Sequence, residues 1–293
     1  MGSFVLREWR GSMSLTPGLR VHSGRYLHEG TMHAHSHGFI ELVVVAAGSG
    51  VHCSAAGRRP VAAGDVVLLR PGLWHSYEQC EGLELLNCCF NSELLQGELS
   101  WMREDPMLGR LLWAGGGSGQ SDGRLEGEAL EECIGHLDAL GALDAQSRRA
   151  DAVGRLTLVL GFAARALIER SAEGPGVHPG VNAAARLLEA RFDETWTLED
   201  LGSELHLSPG YLARIFKAAM GLPPMAYLAR HRVETAAGLL LGTDLPVGQI
   251  ARRVGVADQN LFARRFREHA GMSPTAYRKR FAGHDGDDDN AMR

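Results

Sequence analysis

The chain has 293 residues, 45% of them hydrophobic and 22% charged, with a formal net charge of −5. That length suits about two domains, and the balance excludes disordered and fibrous classes. No apolar run approaches the roughly 20 residues of a membrane span, MGSFVLREWRGSMSLTPG lacks the apolar centre of a signal peptide, and an odd cysteine count without a CxxC spacing argues against a disulfide framework or zinc knuckle.

After an N-terminal arm, residues 1–19, a β-rich unit is expected over 20–100. ELVVVAAGSG, GRRPVAAGDVVLLRPGLWHSYE and LELLNCCF are apolar runs punctuated by Gly and Pro, the pattern of strands and turns in a small barrel or sandwich. Within it HAHSHGFIE sets histidines at 33, 35 and 37 and a glutamate at 41. On one uninterrupted strand these positions share parity and face one side. Imidazole and carboxylate suit a divalent transition metal, so His35, His37 and Glu41, joined by His75, are candidate ligands for Zn, Fe, Ni or Mn. The same residues could contact a ligand's hydroxyls without metal, or bond to one another at the barrel mouth. Trp74 is a candidate stacking residue for such a ligand or a plug for the barrel; His33 is expected at the rim.

Residues 101–172 read as a helical linker and possible dimerisation region. LEECIGHLDALGAL and AVGRLTLVLGFAARALIER carry apolar residues at helical spacing, either to cover the barrel or to pair two chains. GGGSGQSDG, 115–123, reads as a loop, and EGPGVHPG, 173–180, as a linker.

The C-terminal part contains a repeat. LEDLGSELHLSPGYLARIFKAAMGLPPMAYL begins at Leu198 and VGQIARRVGVADQNLFARRFREHAGMSPTAYR at Val247. Ala213-Arg214, Phe216, Gly221, Pro224 and Ala226-Tyr227 match residues 50 positions on; Leu201, Leu205 and Leu207 match Ile250, Val254 and Val256 at an offset of 49. The second copy is one residue longer in its turn. Each copy has helix-turn-helix grammar: a short helix, a plug (Leu207 or Val256), a cap (Ser208 or Asp258), then a longer helix with one apolar face. A helix over roughly 223–241, about 28 Å long at 1.5 Å per residue, joins them, so two reading helices reach successive major grooves about 34 Å apart. Residues 178–282 hold 14 Lys and Arg against 10 Asp and Glu, which fits a polyanion partner.

Arg214 and Arg264 are the candidates for base reading, with guanine the preferred target. Tyr211, Gln259 and Asn260 are secondary, beside Ser208 and Gly210 at the first helix start. Lys217, Arg267 and Arg278 are expected on phosphates. Two generic helical hairpins would explain the apolar faces but not two matching polar faces of this chemistry.

LARIFKAAMG, RVETAAGLL and IARRVGVADQNLFARRFREHAGMSPTAYR, with the duplication, closely resemble the DNA-binding domain of AraC/XylS-type regulators over about 180–282. Val256 stands where that family usually has Phe, a smaller plug. His35-x-His37-x3-Glu41-x6-Gly48 followed by His75 resembles the cupin metal motif, although Pro71-Gly72 and Gln79 depart from its second half. The whole chain is most similar to the branch that activates rhamnose-type sugar operons, through HGFIELVVVAAGSG, DVVLLRPGLWHSYE and LELLNCCF. The resemblance implies a multidomain β + α protein: an N-terminal cupin-like β-barrel, a helical linker or dimerisation region, and a C-terminal all-α double helix-turn-helix domain at 181–282, followed by an acidic tail at 283–293. It implies a cytoplasmic, non-enzymatic regulator, an activator in that branch. Its partners would be double-stranded DNA, a small-molecule effector such as a sugar, RNA polymerase and a second copy of the chain, with no membrane. The rival is a cupin-type metal-dependent enzyme, a dioxygenase or sugar isomerase, which leaves the repeat unexplained.

Overall fold

The structure, a computed structural model, describes residues 21–114, 123–143, 149–167 and 178–282. The expected N-terminal arm, the glycine-rich loop up to 122, the linker up to 177 and the acidic tail lie outside the described residues.

The N-terminal unit is an antiparallel sheet built from β1 (Val21–Ser36), β2 (Ile40–Ser54), β3 (Gly57–Ala62), β4 (Asp65–Leu69), β5 (Trp74–Phe90) and β6 (Gly123–Arg124), in the order β1-β5-β2-β4-β6 with β3 on β2. Strand β2 explains the VVV run, because both of its faces are buried. Val43 and Val45 join Val67, Leu69, Tyr77 and Leu85 in the interior, while Ile40, Leu42 and Val44 face the covering helices. Gly48 has φ +71, and a Cβ there would meet Gly82 O at 2.0 Å, so the close approach of β2 to β5 needs glycine.

The histidine stretch is not one strand. β1 ends at Ser36 and β2 starts at Ile40, so His37 and Glu41 are separated from His35 by a turn, and the register of β1 on β5 shifts between Met32 and His35. The single-strand argument therefore fails for His37 and Glu41; the reversal of the chain, not shared parity, brings them back.

A short helix α1 (Pro106–Gly109), capped by Asp105, precedes α2 (Gly127–Gly141) and α3 (Arg149–Leu167). Leu137 and Leu140 of α2 and Leu156, Val159, Leu160 and Ala163 of α3 pack on the outer face of the sheet in one core. Most of the apolar surface expected to pair two chains is thus spent on the sheet; Leu158 of α3 remains 49% exposed.

The C-terminal unit runs α4 (Pro179–Ala190), α5 (Leu198–Glu204), α6 (Pro209–Met220), α7 (Pro224–Gly242), α8 (Val247–Arg253), α9 (Gln259–Ala270) and α10 (Pro274–Phe281). Both copies of the repeat fold alike. α5 starts with a capping box in which Thr197 and Asp200 exchange hydrogen bonds, worth about 1 kcal/mol. Asp258 accepts from the amides of Asn260 and Leu261 at the start of α9, whereas Ser208 sits at the cap of α6 without a side-chain bond. Gly221 and Gly271 close α6 and α9 at φ +70 and +75. The turn between the short and long helices also needs a left-handed residue: Gly255 supplies it in the second copy (φ +75), and His206 takes the same conformation (φ +55) in the first. Val256 is 6% exposed and donates its amide to Ala251 O, so the smaller plug still closes its turn.

The two copies have different surroundings. Leu212, Phe216, Met220, Tyr227 and Leu228 share a core with α4, the sheet and its covering helices, whereas Val233, Leu240, Ile250, Val254, Phe262, Phe266 and Tyr277 form a separate one. Buried polar contacts join the second unit to the sheet. Arg70 donates to Glu234 at 2.6 and 3.3 Å and to Leu112 O at 2.7 Å, and His269 lies 3.2 Å from Pro71 O.

Candidate functional site

The polar faces of the reading helices are open. Gly210, Tyr211, Arg214 and Lys217 on α6, and Gln259, Asn260, Arg264 and Arg267 on α9, are exposed, as is Ser208. Burial of Leu212 and Phe216 on α6, and of Phe262 and Phe266 on α9, turns these residues outward at helical spacing. The Arg214 guanidinium lies 5.3 Å from the centre of the Tyr211 ring, which lends the first face a stacked aromatic-cation pair. Arg278 departs from the expectation. Its Nε donates to Leu240 O at 3.2 Å and its Nη2 to Leu245 O at 2.6 Å, so it satisfies carbonyls around the end of α7 instead of pointing out for phosphate. Nothing in its sequence neighbourhood distinguishes it from Lys279 or Arg280, which are exposed.

A second constellation lies where β1, β5 and β2 adjoin in the sheet. His35, Glu41 and His75 bring one donor atom each within 4.8 Å of one another. His35 and His75 are directly paired across β1 and β5, with ring centres 4.2 Å apart. His35 Nδ1 donates to His33 O at 3.1 Å, which puts the lone pair of the neutral ring on Nε2. His37 has Nε2 3.0 Å from Glu41 Oε2 and Nδ1 3.0 Å from Phe39 O, so it braces the glutamate from the turn. The other carboxylate oxygen accepts from Asn87 Nδ2 at 2.9 Å and from the Cys89 thiol at 3.7 Å. His75 is 1% exposed; its Nε2 lies 3.2 Å from Glu41 Oε2 without hydrogen-bond alignment, and neither ring nitrogen has a hydrogen-bond partner. His52 Nε2 and the Tyr77 hydroxyl, in rings beside His75, are likewise buried without a hydrogen-bond partner.

Electrostatics follow from burial. Burial pushes the His75 ring down to about 3, with the neighbouring His35 adding to it, and the His52 ring to about 4. Both are neutral at pH 7 and offer no counter-charge. Burial alone would raise the Glu41 carboxyl, but the adjacent His37 ring, 3.0 Å away, holds it well below the usual carboxylate range. A buried carboxylate beside imidazole nitrogens that lack protein partners is chemically suited to a cation or a polar ligand.

Trp74 does not share this centre. It is paired with Ser36, one residue along from the His35–His75 pair, and faces the other side of the sheet, where Arg280 lies 5.6 Å from its ring centre. Trp74, His33, Arg58, Glu78 and Arg280 line an open groove of about 410 Å³ between the sheet and α10. The expected ligand residues thus divide between an inner polar centre and an outer groove. His52, Tyr77 and Asn87 were not expected; extending the alternation from His75 to Tyr77 along β5 would have found one of them.

Residues 16–160 match the family model of the AraC-like ligand binding domain, and residues 201–280 that of a helix-turn-helix domain. The transcriptional activator RhaR of Cronobacter sakazakii is 27% identical over 256 residues, covering 84% of this chain and 87% of that protein. RhaR of Yersinia pseudotuberculosis is 28% identical over 270 residues, 88% of each chain. Among solved structures, ToxT from Vibrio cholerae superposes with a TM-score of 0.53 at 12% identity, covering 90% of this chain and all of that one, which shows a shared two-part fold. The chain thus carries an AraC-like ligand-binding domain followed by a helix-turn-helix domain, and over most of its length it is similar to transcriptional activators.

Proposed function

We propose that the protein is a cytoplasmic, effector-responsive transcription activator that reads two major-groove sites with α6 and α9. The observation that carries this reading is the pair of repeat-related helices whose cationic and amide side chains are exposed while Leu212 and Phe216 on one, and Phe262 and Phe266 on the other, are buried. Arg214 and Arg264 read bases; Lys217 and Arg267 hold phosphates; Ser208, Gly210, Tyr211, Gln259 and Asn260 border the contact. The barrel binds a small effector, a sugar by the resemblance to activators of rhamnose-type operons, with His35, His37, Glu41 and His75 as its polar contacts. Effector binding acts by its difference in affinity for two arrangements of barrel and DNA-binding unit. Pairing of two chains and contact with RNA polymerase complete the proposal, and both rest on the likeness to activators of this family.

Arg264→Ala should weaken binding to the preferred duplex by about 1–3 kcal/mol and relax the preference at a single base pair, as expected for a lost bidentate contact to guanine. Lys217→Ala should lower affinity for every duplex and reduce the salt slope by about one ion. Fluorescence anisotropy with duplexes selected from a random pool, repeated at several salt concentrations, measures both. Retention by Arg264→Ala of full discrimination at every position would remove that residue from base reading.

A further inference from the structure

We propose that His178, at the entry to α4, is a positioning residue for base reading: its ring steadies Tyr211, and Tyr211 steadies Arg214. The proposal rests on the base-reading role given to Arg214 and adds to it a residue that lies outside the repeat.

α4 is built as a third helix of the first helix-turn-helix. Val181, Ala184, Ala185 and Leu188 share a core with Leu201 of α5 and with Leu212 and Phe216 of α6. Its first turn lies against the plug between those helices: a Cβ on Gly180 would stand only 2.7 Å from Leu207 Cδ1. Pro179 takes the first helical position and His178 caps it, its Nδ1 accepting from Gly180 N at 3.0 Å. Acceptance at Nδ1 leaves the proton of the neutral ring on Nε2.

Asn, Asp, Ser and Thr are the favoured caps, so a histidine there calls for a second reason. The ring supplies it. Its plane stands at 83° to that of Tyr211 with centres 5.9 Å apart, the edge-to-face arrangement that aromatic pairs prefer. Tyr211 is 37% exposed on the reading face, and the Arg214 guanidinium lies 5.3 Å from its ring centre. The three side chains form a row from the start of α4 to the candidate base reader. A long arginine loses rotamer freedom when it engages a base, and a ring that holds the guanidinium beforehand reduces that loss.

The repeat supplies an internal control. The residue 50 positions after Tyr211 is Leu261, which packs on the second core, so Arg264 has no aromatic one turn before it. In that copy Gln259 lies over the start of α8, where a Cβ on Gly248 would meet its Nε2 at 2.4 Å. The effect of residue 178 is therefore confined to the first half-site.

The test uses the full chain and duplexes that carry each single base-pair change in either half-site. Affinity is read by competition anisotropy and stability by thermal unfolding. Arg214→Ala should lose about 5–150-fold of discrimination at one base pair of the first half-site, the range for a bidentate contact. His178→Asn keeps a good cap and removes the ring. It should lower discrimination at that same base pair by about 2–5-fold, the scale of an exposed cation–π contact, with the second half-site and the unfolding midpoint unchanged. His178→Phe keeps a ring and removes the cap, so it should unfold earlier yet discriminate as the wild type does. Tyr211→Leu should already contain the loss seen in His178→Asn, so that adding the second change to the first costs nothing more. Full discrimination by a stably folded His178→Asn overturns the proposal. So does a loss spread over both half-sites, which marks a general structural role. A loss in His178→Phe equal to that in His178→Asn assigns the effect to the cap and overturns the role of the ring. Unchanged discrimination by Arg214→Ala at every base pair overturns the base reading itself and the positioning role with it, whereas failure of the His178 variants alone leaves Arg214 as a reader.

Discussion

Glu234→Ala should destabilise the folded chain by about 3–5 kcal/mol, the range for removing one partner of a buried ion pair. Glu234 is 9% exposed and faces two guanidinium groups: Arg70 at 2.6 Å and Arg230 at 3.7 Å. Without it, two cations are left in a site that water reaches poorly. The reverse change, Arg70→Ala, leaves Glu234 beside Arg230 and should cost clearly less. That asymmetry separates an electrostatic origin from mere loss of packing, because the arginine is the larger side chain. pH gives a second check. Burial alone would raise the Glu234 carboxyl, but Arg70 and Arg230 bring it down to about 2 from an ordinary value of 4.5. A group with a depressed folded-state value contributes above 4.5 and loses that contribution as pH falls towards 2. Urea unfolding at pH 7 and across this acid range should show the gap between wild type and Glu234→Ala narrowing as pH falls. A gap independent of pH would contradict the assignment.

Phe266→Ala should cost a further class of about 3–5 kcal/mol, since it deletes a ring that is fully buried between Phe262 and Tyr277. Its effect should stay local. Phe266 belongs to the core made only by the second unit, while its repeat partner Phe216 belongs to the core shared with the sheet and α4. Footprinting should therefore show loss of protection over one half-site with the other retained. Phe216→Ala should lower the stability of the barrel unit as well. Equal damage to both half-sites by Phe266→Ala would mean that the two cores melt as one.

The two-unit architecture was readable because it rests on local rules. The repeat offsets of 49 and 50 survive as matched helices, and the connecting helix expected over 223–241 is Pro224–Gly242. The capping box at Thr197 was also local, and its T-x-x-D spacing was there to be read. What escaped depends on distance along the chain. Arg70 meets Glu234 and Arg103 meets Glu189 only after the units have docked, and no periodicity relates such positions. Arg278 looked like one more cation in a basic run until the carbonyls of Leu240 and Leu245 came beside it. The histidine set lies midway between these cases. Its composition announced metal-like chemistry, but the turn at residues 37–39 was invisible to a parity count, whereas the opposite facing of Trp74 and His75, adjacent in β5, was there to be read.

The unequal setting of the two copies has a consequence for operators. One reader is moored through an apolar seam to the sensor; the other swings on a few polar tethers. Half-sites phased to suit the resting geometry would be occupied with or without a signal, whereas those rotated around the duplex would be reachable only once the tethers let go. The wording of a promoter could then tune how strictly its gene obeys the sensor, with no change in the protein.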